Sequence, residues 1–143
     1  MKYNIMFVDE SFTVLESLKW IFKDDPNYLF TFDDPDDALS VLYTVEFAVV
    51  VAEREMKKMD GLEFIKRVNG RWPNTLGIIM AGYSGLSDVL DVAVTGCVYR
   101  FIKKPLDNGG IKHAVEVAIN RYEINAQNKG EDLCYGHQKR RIF

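Results

Sequence analysis

Short apolar runs alternate along this chain with longer segments in which apolar residues recur every three or four positions. Ile5-Met6-Phe7-Val8 is the first run, and Val14, Leu15, Leu18, Ile21 and Phe22 form the first helical stripe. Tyr28 to Phe32 predicts a second strand. Asp34-Pro35 then opens a helix through Ala38, Leu39, Val41 and Leu42, with a capping carboxylate and a proline at the first helical position. Phe47-Ala48-Val49-Val50-Val51-Ala52 is continuously apolar and β-branched, the pattern of a central parallel strand covered by helices on both faces.

Downstream, Asp60-Gly61-Leu62-Glu63 reads as a carboxylate cap with a glutamate three residues on, starting a helix through Phe64, Ile65 and Val68 that stops near Gly70. Leu76 to Ala81 predicts the fourth strand. Ser84 can cap a fourth helix carrying Leu86, Val89, Leu90 and Ala93 and ending at Gly96. Val98 to Ile102 predicts the fifth strand, and Ile111, Val115, Ala118, Ile119 and Tyr122 mark a last helix from Asp107 to Gln127. Beyond Asn128 the periodicity is lost. The expected organisation is one domain over residues 1–127 and a flexible tail over 128–143. Five strands alternating with five helices imply an α/β fold: a doubly wound parallel sheet, three layers thick, with right-handed crossovers.

Composition narrows the function. At 143 residues the chain buries roughly two-thirds of its unfolded surface, enough for a core without disulfides or metal staples. No apolar run approaches the ~20 residues of a membrane span, and the acidic pair after MKYNIMFV interrupts any signal-peptide pattern, so a cytoplasmic, non-membrane protein is expected. Cys97 and Cys134 then read as reduced thiols. A net charge of −3 offers no basis for a nucleic-acid grip by this domain, and Lys139-Arg140-Arg141 is a solvated tail run.

Doubly wound sheets carry their functional groups at the carboxyl ends of the strands. Here those ends are Asp9-Glu10 after strand one, Glu53 after strand three, Ala81-Gly82 after strand four and Lys103-Lys104-Pro105 after strand five. Carboxylate oxygens of this kind suit a hard cation such as Mg²⁺, which takes one or two protein carboxylates and keeps its waters. A lysine beside them neutralises a phosphoryl group or pairs with a carboxylate. No Ser/His/Asp arrangement is evident, His113 and His137 fall on a helix and in the tail, and the cysteines lack zinc-site spacing, so the chain is not expected to be an enzyme.

Over residues 2 to 125 the order of these motifs resembles the receiver domain of two-component response regulators. Val8-Asp9-Glu10-Ser11 is similar to that family's acidic pair after the first strand. Glu53-Arg54-Glu55-Met56-Lys57-Lys58-Met59-Asp60-Gly61 is similar to its acceptor aspartate followed by Met-Pro and Met-Asp-Gly, and Gly96 to Pro105 resembles its glycine, aromatic and Lys-Pro segment. The resemblance implies a flavodoxin-like strand order 2-1-3-4-5. It further implies metal binding through Asp9, Glu10, Glu53 and the backbone of Glu55, Glu53 at the acceptor position, Ala81 and Phe101 at the switch positions, Lys104 at the phosphate-binding position, and a cis bond before Pro105.

Three departures separate this chain from the family pattern. Glu53 replaces the acceptor aspartate and carries its carboxylate about one bond length, ~1.5 Å, further out, where errors of ~1 Å already cost ~100-fold in rate. Its negative charge partly imitates an aspartyl phosphate. Ala81 lacks the hydroxyl that follows the phosphate, and Lys57 stands where proline is usual, predicting a looser loop and an added cation near Glu53. The leading expectation is a pseudo-receiver that acts by protein contact with a histidine kinase or a downstream signalling protein. A homodimer through the face of the fourth helix, fifth strand and fifth helix is part of that expectation. The alternative is a competent phospho-accepting response regulator. A flavodoxin-like cofactor carrier is disfavoured, because Asp9-Glu10-Ser11-Phe12 offers a phosphate repulsion where backbone donors are required.

Overall fold

A computed structural model describes residues 2–82 and 96–128. The five strands are β1 (Asn4–Val8), β2 (Tyr28–Phe32), β3 (Val49–Glu53), β4 (Leu76–Ala81) and β5 (Arg100–Lys103). The described helices are α1 (Phe12–Ile21), α2 (Pro35–Leu42), α3 (Gly61–Arg71) and α4 (Asn108–Gln127), the last being the fifth amphipathic segment of the sequence. The fourth such segment, from Ser84 to Ala93, lies outside the described residues, as do Cys134, His137 and the basic run at 139–141.

All pairings are parallel and the order is β2-β1-β3-β4-β5, the topology expected. The central strand β3 is buried at every residue, which explains its lack of alternation. Side chains of successive residues point to opposite faces of the sheet. Ile5, Phe7, Val49, Val51, Ile78 and Met80 face α1 and α4, where Leu15, Leu18, Ile111, Val115 and Ala118 meet them. Met6, Val8, Val50, Ala52, Ile79 and Ala81 face α2 and α3, against Ala38, Leu42, Phe64, Ile65 and Val68.

The helix starts follow the capping residues. Ser11 accepts from the Val14 N–H, Asp34 from Asp36, Asp60 from Leu62 and Asp107 from Gly110. Pro35 occupies the first helical position, as its fixed φ favours. Glu63 does not reach back to complete a capping box. It bonds Arg67 one turn on at 3.0 Å, and α3 runs past Gly70 to Arg71. Two strand boundaries move: β3 begins at Val49 and includes Glu53, and β5 begins at Arg100. Gly96 has φ 71°, a left-handed conformation that costs glycine little and other residues more.

Candidate functional site: an acid and lysine cluster at the carboxyl ends of the strands

Register brings the site together. Val8 lies beside both Phe32 and Ala52, Glu53 beside Met80, and Ala81 beside Lys103. Asp9, Glu53 and Lys104 therefore leave adjacent strands at the same edge. Lys104 is carried there by the continuing ladder, since its N–H donates to the Ala81 carbonyl at 2.8 Å. Pro105 follows through a cis peptide bond, as the resemblance implied.

The Lys104 ammonium bridges the two acids. It donates to Asp9 Oδ2 at 2.8 Å and to Glu53 Oε1. The remaining oxygens face backbone: Asp9 Oδ1 accepts from the Ser11 N–H at 2.8 Å, and Glu53 Oε2 from the Glu55 N–H at 2.9 Å. Asp9 and Glu53 are buried, so each charge relies on these partners. Burial is the largest single influence on Lys104 and would lower its pKa. The hydrogen bonds and charges of Asp9 and Glu53 outweigh it and leave the pKa above the ordinary lysine value.

Glu10 turns elsewhere. Its Oε2 accepts from the Lys57 N–H at 2.8 Å, with the Lys58 N–H at 3.4 Å. The expectation that Lys57 loosens the loop is corrected here: its amide is held, and the held group is the N–H that proline would lack. The Lys57 side chain is exposed, and the cation at Glu53 is Lys104. Around the same loop Met56 is buried, Lys58 pairs with Asp34, and Arg54 pairs with Asp60.

The donor set has the hard-oxygen chemistry that Mg²⁺ takes, but its arrangement does not fit the ion. An ammonium lies between Asp9 and Glu53, and Glu10 faces the loop amides. Among the described residues no group of three or more His, Cys, Asp or Glu side chains is placed to hold a metal. Glu55 contributes its N–H to Glu53. Ala81 is buried at the end of β4 and presents only a methyl group. Phe101 is half-buried on β5 and packs on the α2 and α3 side of the core. His113 is exposed on α4.

A second polar cluster, which sequence reasoning missed, lies at the opposite edge of the sheet. Tyr3 donates to Glu123 Oε2 at 2.7 Å, Tyr122 donates to Glu46 Oε2, and the two rings meet edge to face with centroids 5.6 Å apart. These residues line a groove of ≈ 520 Å³ with Lys2, Ala126 and Gln127. The only signal in the sequence was a tyrosine and a glutamate side by side at 122 and 123 on an amphipathic helix.

This fold and site define a receiver domain, and comparison with known proteins agrees. The response regulator receiver domain family matches residues 5–116, and the chain belongs to it. Among relatives, the hydrogenase transcriptional regulatory protein HoxA of Bradyrhizobium diazoefficiens is 25% identical over 96% of this chain and 29% of that protein. The transcriptional regulatory protein FixJ of the same organism is 25% identical over 90% of the chain and 62% of its own length. The chain thus spans less than two-thirds of these regulators. The crystal structure of an uncharacterized protein from Neptuniibacter caesariensis superposes with a TM-score of 0.85 at 27% identity, covering 88% of this chain and 93% of that one. A response regulator receiver domain protein from Clostridium thermocellum superposes at 0.77 and 22% identity, with 85% and 98% covered, which supports the fold. Receiver domains serve two-component signalling, generally bind Mg²⁺ at the phosphorylation site, and interact with histidine kinases and downstream effectors. No helix among the described residues is long and apolar enough to cross a membrane.

Proposed function

We propose that this receiver domain signals by protein contact and does not take a phosphoryl group at Glu53. One observation carries the reading: both Glu53 oxygens are engaged inside the protein, Oε1 by Lys104 and Oε2 by the Glu55 N–H. An attacking carboxylate must aim an oxygen lone pair at an incoming phosphorus, and this one is buried and turned toward an ammonium and an amide. Ala81 adds to the case, because a methyl group has no hydrogen bond with which to report a phosphate. The domain works as a pseudo-receiver in the cytoplasm, without catalysis of its own. Its partner is a histidine kinase or a downstream protein, met through the β5 and α4 side, where a second copy can also dock. Incubation with a small phosphodonor and Mg²⁺, followed by intact mass, tests the reading. No mass gain is expected. A stoichiometric gain of one phosphoryl group that is lost in Glu53→Gln would overturn it in favour of a phospho-accepting regulator.

A further inference from the structure

We propose that Glu10 is a loop clamp rather than a cation ligand, and that the Lys57 amide and the Lys104 ammonium together do in this chain what a divalent ion would do at such a site. This rests on the same reading of the site, and its test measures cation binding and loop protection rather than phosphoryl transfer, so the two can fail separately.

A divalent cation among strand-end carboxylates does two physical jobs. It offsets their charge, and it ties the loops that carry them to one another. Protein groups perform both jobs here. Lys104 offsets Asp9 and Glu53 through direct hydrogen bonds to each. Glu10, on the segment between β1 and α1, reaches across 47 positions of sequence to the segment between β3 and α3 and accepts from the Lys57 N–H at 2.8 Å. That segment is presented for capture by Met56, buried beneath it.

The decisive residue is Lys57, and the decisive atom is its backbone nitrogen. Proline there would have no N–H, and the Glu10 carboxylate would keep only the longer contact from the Lys58 N–H at 3.4 Å. A carboxylate freed in that way turns toward whatever cation is nearest. With the amide present, a divalent ion must take Glu10 from a charge-assisted hydrogen bond and push Lys104 away from two buried acids, while shedding part of a tightly held water shell.

The test uses the full chain with MgCl₂ as the probe, read by titration calorimetry and by Tm in MgCl₂ against EDTA. Wild type is expected to give no binding heat at millimolar Mg²⁺ and an unchanged Tm. Lys57→Pro is expected to gain both Mg²⁺ binding and an Mg²⁺-dependent rise in Tm, whereas Lys57→Ala, which keeps the N–H, behaves as wild type. Millimolar Mg²⁺ binding by wild type, or identical behaviour of the two Lys57 variants, would overturn the proposal. Should Lys57→Pro not fold, amide exchange decides. The Lys57 N–H is expected to exchange about 10-fold faster in Glu10→Ala than in wild type, the loss of one hydrogen bond to a charged group. An unprotected Lys57 amide in wild type overturns the clamp.

Discussion

The two edges of this sheet solve the same problem with different chemistry. At the carboxyl edge, buried Asp9 and Glu53 are held by an ammonium and by backbone N–H groups. At the amino edge, Glu46 and Glu123 are held by the neutral hydroxyls of Tyr122 and Tyr3, whose rings also pack on the core. A phenol secures a carboxylate while adding apolar area, which stiffens the end where α4 meets the strands. An ammonium secures two carboxylates by charge, and charge is what a partner or ion can perturb. The carboxyl edge thus rests on charge, and the amino edge on neutral hydroxyls whose rings anchor in the core.

Substitutions at the two edges should separate these roles. The largest effect is expected from Lys104→Met, which keeps the stem but leaves Asp9 and Glu53 buried without their cation. A loss of about 3 kcal/mol at neutral pH should be seen by denaturant unfolding, since breaking a buried pair from one side strands the other charge. A loss under about 1 kcal/mol would mean that water, not Lys104, satisfies the acids.

Gly61→Ala comes next. A Cβ there would overlap the Glu53 carbonyl oxygen and lie 2.9 Å from the Arg54 Cα, so α3 could not approach the end of β3 as it does. About 2 kcal/mol of destabilisation is expected by thermal unfolding. Wild-type stability would show that the helix start shifts freely.

At the anchoring edge, Tyr122→Phe keeps the ring and removes one hydrogen bond, for a cost of about 1 kcal/mol in chemical denaturation. It should also change the alkaline limb of stability. Burial first, then the Glu46 hydrogen bond and charge, hold the Tyr122 hydroxyl well above the ordinary tyrosine value, and Lys104 is likewise raised. Groups raised on folding contribute fully below their unfolded pKa, about 10 for both, and that contribution is lost as pH rises through the folded values. Tm should therefore fall above pH about 10 in wild type and fall less steeply in Tyr122→Phe. Equal slopes would remove Tyr122 from the explanation.

The smallest effect belongs to the rim. Lys58→Ala removes an exposed partner of Asp34, and Tm at moderate salt should be unchanged within error, because exposed pairs contribute little and are screened. A clear drop would place Lys58 among the residues that hold the loop rather than at its margin.

Much of the fold was legible from the chain. The apolar runs from Ile5, Tyr28 and Leu76, the caps at Asp34 and Asp60 and the start of the last helix at Asp107 all stand where the pattern placed them, because strand and helix periodicity are local properties. Of the candidate site, Asp9, Glu53 and Lys104 were legible as residues that a parallel sheet must deliver to one edge. Their pairing was not, nor was the direction Glu10 takes. Lys57 was read through its side chain, whereas its contribution is an amide that every non-proline residue shares and that no pattern of side chains singles out. The Tyr3–Glu123 and Tyr122–Glu46 pairs span 120 and 76 positions and left no local signature.

What the sequence determined by itself was the order of elements, the faces they bury and the set of charged residues at the strand ends. Each of those follows from the spacing of side chains along a regular backbone. Tertiary structure alone decided which oxygen meets which donor. Asp9, Glu10 and Glu53 all had several cations and amides within reach of the same edge, and a hydrogen bond forms only within about 3 Å, a scale set by the register of the strands and the path of the loops.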